Sequence, residues 1–119
     1  MPREIVILSP TPPDLATLIE AGAAIDDQLG MRTLFGGGVH EFCRDTGAGD
    51  RAVLSVSQPL AVDNLDEIAR LLPGAVHLPL PLWWVEVLAP WGEAGRTGVQ
   101  IAYELAARLG ATCMVQDGE

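Results

Sequence analysis

The pattern of apolar and polar residues at the start of the chain predicts a buried strand followed by a helix. Residues 4–9, EIVILS, form a continuous apolar run rich in β-branched side chains, which is typical of a strand covered on both faces. Thr11 and Pro12 suit the N-cap and the first position of a helix, and apolar residues then recur at helical spacing as far as Leu29. We therefore expect a helix from this cap to a stop at Gly30.

A looser alternation over residues 31–58 predicts an antiparallel hairpin. The turn-forming segment from Asp45 to Asp50 is the expected connection between its two arms. The triple glycine at positions 36–38 interrupts the first arm, so we expect a bend or a β-bulge there.

The next segments predict a short helix and then an unusual strand. Asp63 is the expected N-cap of the helix, which should end at residues 73–74, Pro-Gly. The stretch Val76–Trp91 contains all three tryptophans. Its LPLPL part cannot be an interior strand because proline donates no backbone hydrogen bond, so only Trp83–Leu88 is predicted as a strand.

The pattern ends with a helix predicted over Glu93–Leu109, a strand within residues 111–116 and a frayed tail at 117–119. The resulting order, β-α-β-β-α-β-α-β, predicts a single α+β domain over residues 1–119. We expect a two-layer α/β sandwich in ferredoxin-like order, extended by one helix and one strand. The alternative is a three-layer α/β arrangement with helices on both faces of the sheet.

Charge narrows the classes of partner. Sixteen acidic residues face seven basic ones, all of them arginine, and the formal net charge is -9. Nucleic acids and anionic membranes are bound by clusters of basic residues, so neither is expected as a partner, whereas a basic protein is. The apolar run near the start of the chain is too short for a secretory signal, and an acidic residue precedes it. The absence of lysine and the abundance of Ala, Gly, Pro and Arg are typical of proteins encoded by GC-rich genomes. We therefore expect a bacterial cytoplasmic protein.

Residue types that carry chemistry are present but poorly spaced. His40, Cys43, His77 and Cys113 could ligate zinc, yet they form no recognisable ligand motif. The glycines at 36–38 lack the context of a phosphate-binding loop, and there is no nucleophile motif such as G-x-S-x-G. We accordingly assign no metal, no cofactor and no catalytic residue, and an enzymatic role is not favoured.

The adjacent tryptophans carry the functional prediction. Trp83 and Trp84 must point to opposite faces of a strand, so at most one of them fills the helix-covered core. The other lies under a second layer, on an open sheet face or in an interface, and exposed aromatic patches mark partner or ligand surfaces. The sequence therefore predicts a small acidic binding module, an immunity- or antitoxin-type inhibitor or an accessory subunit, which binds a basic protein or forms a homodimer. The expected partner-binding residues are Trp84, Trp91, Asp63, Asp66 and Glu67.

The alternative is a small-molecule-binding or enzymatic domain. Its pocket would lie between the glycine segment 36–38 and the strand Trp83–Leu88. The residues expected to line that pocket are Gly37, His40, Glu41 and Glu86.

Overall fold

Seven strands form one sheet within residues 2–72 and 78–116, the part of the chain that the computed structural model describes. In chain order the elements are β1 (Arg3–Ser9), α1 (Leu15–Ile25), β2 (Gly30–Leu34), β3 (Val39–Asp45), β4 (Asp50–Ser57), β5 (Leu60–Val62), α2 (Leu65–Leu71), β6 (Leu82–Ala89), α3 (Glu93–Leu109) and β7 (Thr112–Gln116). The strands lie in the order β2-β3-β4-β6-β1-β7, and β5 pairs with β6 where β4 ends. Each of these pairings is antiparallel.

The helices α1 and α3 cover one face of the sheet, which we call the helix-pair face. Ile5 and Ile7 of β1 point into this layer, where they meet Leu105 of α3. The other buried members of this core come from α1, α3 and the central strands: Leu18, Ala21, Phe42, Val53, Leu54, Val56, Val85, Val87, Ala89, Ile101, Ala102 and Ala106. Because burial of apolar area is the main favourable term in folding, this core supplies most of the stability.

The short helix α2 lies on the opposite face of the sheet, which we call the α2 face. Val6 and Leu8 alternate onto this face from β1 and pack against Ile68 and Leu72 at α2. Residues Ile5 to Ser9 are all buried because β1 is covered on both sides, as its continuous apolar run predicts.

The fold class is confirmed as α+β, and α1, α3 and the sheet are compatible with the predicted two-layer sandwich. The ferredoxin-like order is not confirmed. Two strands more than predicted lie between α1 and α2, and β1 lies between β6 and β7. The α2 face carries a helix over part of its surface, so the three-layer alternative is met only locally.

Both ends of α1 differ from the prediction. The helix begins at Leu15 because Asp14, not Thr11, is its N-cap: an Asp14 carboxylate oxygen accepts hydrogen bonds from the backbone N–H (2.8 Å) and the hydroxyl (2.7 Å) of Thr17. These hydrogen bonds lower the pKa of Asp14. The helix ends at Ile25 and does not reach Leu29.

Asp26 is responsible for the early end of α1. Its backbone is extended, and its carboxylate accepts hydrogen bonds from the Gln28 N–H at 3.0 Å and from the Arg44 guanidinium at 3.0 Å. The polar side chain therefore offers the backbone an alternative to continued helix, which the apolar spacing does not reveal. Gly30, predicted as a helix stop, is the first residue of β2.

The predicted two-armed hairpin is a three-stranded meander. The glycines at 36–38 do bend the chain, but the bend is a 3₁₀ turn over Phe35–Gly37 that reverses the chain and pairs β2 with β3. Gly36 and Gly37 have φ values of 63° and 101°, which favour glycine. The connection after Asp45 and before Asp50 is as predicted.

The later elements agree better with the prediction. The helix α3 covers Glu93–Leu109 as expected, and β6 contains the predicted strand Trp83–Leu88. The N-cap of α2 is Asn64 instead of Asp63, because its side-chain oxygen accepts a hydrogen bond from the Asp66 N–H at 2.8 Å. The predicted helix end at 73–74 and the predicted frayed tail at 117–119 lie outside the described residues. Within residues 2–72 and 78–116, no helix is long and apolar enough to cross a bilayer.

Candidate partner-binding groove

Strand β6 places three side chains of the candidate site on the α2 face. Trp84, Glu86 and Leu88 alternate with Val85 and Val87, which belong to the main core. The sequence therefore predicts the two faces of this strand correctly. Trp84 packs against the small cluster beneath α2, whereas Glu86 is exposed.

Two depressions flank α2 on this face. One, of about 320 Å³, lies between the end of α2 and strands β1, β6 and β7, and Glu4, Leu88 and Gln116 help to line it. The other, of about 250 Å³, lies between α2 and β5. Leu71, Trp84 and Glu86 line both depressions, so we treat them as one feature and call it the Trp84 groove.

Exposed aliphatic side chains form much of the wall of the Trp84 groove. Leu71 on α2 is 54% exposed, Leu60 on β5 is 61% exposed and Leu88 on β6 is 38% exposed. Leu60 lies directly opposite Trp84 in the sheet, so both side chains are on the same face. Apolar area that is exposed and contiguous marks surfaces that bind partners.

Within residues 2–72 and 78–116, the charged residues that line the Trp84 groove are all acidic. They are Glu4, Asp63, Glu67 and Glu86. Glu67 has an arginine within reach, the exposed Arg70 on the same helix at 3.7 Å. Among the described residues the other three acids form no ion pair with an arginine. The groove thus combines an apolar floor with a negative rim.

The structure gathers part of the predicted partner-binding set and separates the rest. Trp84, Asp63 and Glu67 line the groove together. Asp66 lies in the first turn of α2 but does not line it. Trp91 is 50% exposed and lies elsewhere, after β6, where the Arg3 guanidinium sits over its ring at 4.6 Å from the centroid.

The residues of the predicted small-molecule pocket are not brought together. Gly37 lies in the 3₁₀ turn, and the ring of His40 shares a hydrogen bond with the Thr33 hydroxyl at 3.0 Å on the edge of the meander. Glu41, next to His40, points to the opposite face, and strand β4 separates it from Glu86 on β6. Of this set, Glu86 lines the Trp84 groove.

Glu41 has a polar environment of its own on the uncovered end of the α2 face. Its carboxylate accepts hydrogen bonds from the Arg32 guanidinium at 2.7 Å and the Ser55 hydroxyl at 3.2 Å, and the Cys43 thiol lies at 3.5 Å. Partial burial opposes ionisation of Glu41, but these donors together outweigh it, so the pKa of Glu41 is lowered. The arrangement holds a carboxylate in its ionised form instead of preparing it to accept a proton.

The cysteines have the character of structural thiols. Cys43 is buried and Cys113 is partly buried, and both are free. Burial raises the pKa of Cys113 to about 11 and raises that of Cys43 as well, which disfavours the reactive thiolate. No group of three or more His, Cys, Asp or Glu side chains suited to a metal ion occurs in the described ranges, and His77 lies outside them.

Several residues of the groove are absent from the sequence prediction. Glu4, Leu60, Leu71 and Leu88 line it. The local pattern does not give the positions of β1, β5 and α2 around the groove, so it could not have identified the first three. Leu88 could have been found, since it alternates with Trp84 and Glu86 on one strand.

No family model, curated protein or solved structure matches this chain.

Proposed function

We propose that this protein is a non-enzymatic binding module that holds a basic segment of a partner protein in the Trp84 groove. The observation that carries the proposal is the combination of an exposed apolar surface with four acidic residues around one half-buried tryptophan. Tryptophan is among the residues that contribute most to protein interfaces, where it provides a large, rigid contact area. The natural partner is an amphipathic segment that carries large apolar side chains and arginine or lysine.

Net charge supports the choice of a basic partner. The chain carries a formal charge of -9, and the acids around the groove add a local negative potential that accelerates association with a cationic surface. A second copy of the chain carries the same charge, so long-range repulsion opposes self-association through this groove. An inhibitor of a basic protein, or an accessory subunit of one, fits this profile.

The lining of the groove also favours binding over catalysis. Among the described residues it consists of carboxylates, the Trp84 indole, aliphatic side chains and one glutamine, without serine, cysteine or histidine. None of these described lining residues offers a hydroxyl, thiol or imidazole nucleophile beside a carboxylate, so covalent catalysis has no candidate among them. The same carboxylates are well suited to pairing with cations.

Selection from an unbiased library of displayed 12-residue peptides tests the proposal. We expect the selected peptides to carry net positive charge and at least one large apolar residue. Their affinity should fall at least about tenfold for Glu86→Lys, because a charge on the groove rim changes sign. Asp27→Lys makes the same change in net charge on an exposed residue after α1 and should leave affinity within about twofold. Neutral or acidic selected peptides, or equal losses in the two variants, would contradict the proposal.

A further inference from the structure

The shape and chemistry of the Trp84 groove narrow its ligand further. We infer that Trp84 and Glu86 together form a receptor for a single arginine side chain of the partner, an inference that rests on the proposed function. The two residues stand two positions apart on one face of β6, about 7 Å from each other along the strand. Both line both depressions, so they occupy the middle of the groove.

An arginine can satisfy both residues at once. Its planar guanidinium can stack on the face of the indole. In that position its N–H groups point outwards in the plane of the guanidinium, towards a carboxylate two residues along the strand. Its aliphatic stem needs apolar contacts, and the exposed side chains of Leu60 and Leu71 flank the same place. Trp84 is packed against the small cluster beneath α2, so its ring is already held before a ligand arrives.

The molecule itself contains both halves of this interaction. The Arg3 guanidinium lies 4.6 Å from the centroid of the Trp91 ring. The Arg32 guanidinium lies 2.6 Å from the Glu41 carboxylate on the α2 face. At Trp84 and Glu86 an indole and a carboxylate stand side by side, and in the described part of the chain no arginine forms an ion pair with Glu86.

Lysine fits this receptor less well. An ammonium group is a compact and strongly hydrated point charge, so it loses more hydration on a partly apolar surface and cannot stack as a plane. It can pair with Glu86 or approach the Trp84 ring, but it does not match both with one fixed geometry. The receptor is therefore expected to discriminate between the two cations.

Nuclear magnetic resonance titration at low ionic strength tests the inference. The probes are three acetylated five-residue peptide amides with leucine at each end, glycine at the second and fourth positions, and arginine, lysine or uncharged citrulline in the centre. The indole N–H signals of the three tryptophans are assigned with single Trp→Phe variants. We expect the arginine peptide to move the Trp84 signal saturably and the Trp91 signal negligibly. Binding of the lysine peptide should be about threefold weaker or more, and the citrulline peptide should show no saturation.

Variants separate this inference from the proposed function. Glu86→Gln should weaken binding of the arginine peptide about fivefold, whereas Asp27→Asn, the matched control, should not change it. If arginine and lysine peptides bind equally well and lose affinity equally in Glu86→Gln, the groove binds basic segments but the arginine receptor is refuted. If neither charged peptide moves the Trp84 signal, both the receptor and the proposed groove function are refuted.

Discussion

The two faces of the sheet differ in how completely helices cover them and bury their side chains. On the helix-pair face, the 17-residue helix α3 lies close against the sheet together with α1, and many side chains are fully buried. On the α2 face, the seven-residue helix α2 buries Ile68 within its length and leaves Leu71 exposed beside the groove. Stability is therefore concentrated on one face, and the proposed recognition surface lies on the other, as expected when a rigid scaffold carries a binding surface.

Small residues of α3 allow this helix to lie close to the sheet on the helix-pair face. Residues of α3 that face the sheet include Gly95, Gly98, Ala102 and Ala106, all of which are buried. These residues allow the helix backbone to approach the strands, where larger side chains would hold it away. In the helix α2 the small residue Ala69 is exposed, and Ile68 is the residue buried against the sheet.

Gly98 is a position where the helix-pair face should be highly sensitive to an added side chain. Strand β4 has an extra residue opposite the Phe42–Cys43 step, and at this bulge the carbonyl oxygen of Val53 would lie 1.9 Å from a Cβ at position 98. Gly98→Ala should lower the free energy of unfolding by about 4 kcal/mol, because backbone has to move away from backbone. The loss occurs although alanine is the better helix former by about 1 kcal/mol. Urea denaturation followed by circular dichroism measures it.

Gly30→Ala is the matched control for this effect. A Cβ at position 30 meets no atom within 4 Å, and the backbone there has no left-handed φ. The control should change the free energy of unfolding by less than about 0.5 kcal/mol. If both substitutions have the same small effect, α3 does not pack against the bulge as closely as described.

The sequence predicts long periodic elements well and local reversals poorly. The helix α3 and the strand β6 follow from apolar spacing, because each buries a regular stripe against the core. The early end of α1 depends on the side chain of Asp26, which finds Arg44 on a strand distant in sequence. The split of the predicted first arm into β2 and β3 depends on left-handed glycines, whose φ values no apolar pattern encodes.

In the candidate site, too, the sequence predicts the residues that follow a regular pattern within one element and not those that other elements bring to the site. Trp84 and Glu86 come from the alternation within β6, which the sequence shows directly. The position of Leu60 in the groove wall cannot be predicted in this way. Strand β5 pairs with β6 after Pro59, in a register that differs from that of β4 with β6. Contacts between strands that are distant in sequence can be predicted only when the order of strands in the sheet is known. The sequence did not decide between a two-layer and a three-layer architecture, so that order was not known.

Truncation of one buried side chain on each face sharpens the comparison. Leu105→Ala on α3 should cost about 3 kcal/mol, because the cavity left among fully buried neighbours cannot collapse. Ile68→Ala on α2 should cost about 2 kcal/mol, since its cluster is small and borders the open groove. Urea denaturation of both variants gives the two values. A greater loss at Ile68 than at Leu105 would overturn the assignment of stability to the helix-pair face.

Hydrogen exchange provides the same contrast without substitution. Amides of α2 should exchange by local opening at a lower free energy than those in the middle of α3, because few buried contacts hold the shorter helix. Mass spectrometry of peptic fragments or amide resonances would measure the difference. Equal protection of the two helices would mean that α2 is stabilised as firmly as the main core and that the two faces are energetically alike.

The smallest expected effect concerns the uncovered end of the α2 face, where polar contacts replace apolar packing. The folded state lowers the pKa of Glu41 below its ordinary value of 4.5, so the stabilisation is present above that pH and is lost as pH falls through the folded-state pKa. Glu41→Gln should therefore be less stable than the parent by about 1 kcal/mol at pH 7, a modest value because Arg32 is half-exposed and solvent screens the pair. The gap should close as pH falls below about 4.5 and through the folded-state pKa, and Ser55→Ala should show a smaller loss with the same pH dependence, because it removes one donor to the same carboxylate. Thermal denaturation at a series of pH values measures both variants. A gap that does not change as pH is lowered through the acid range would show that the loss in Glu41→Gln is one of packing, and the α2 face would then resemble the helix-pair face more closely than its contacts indicate.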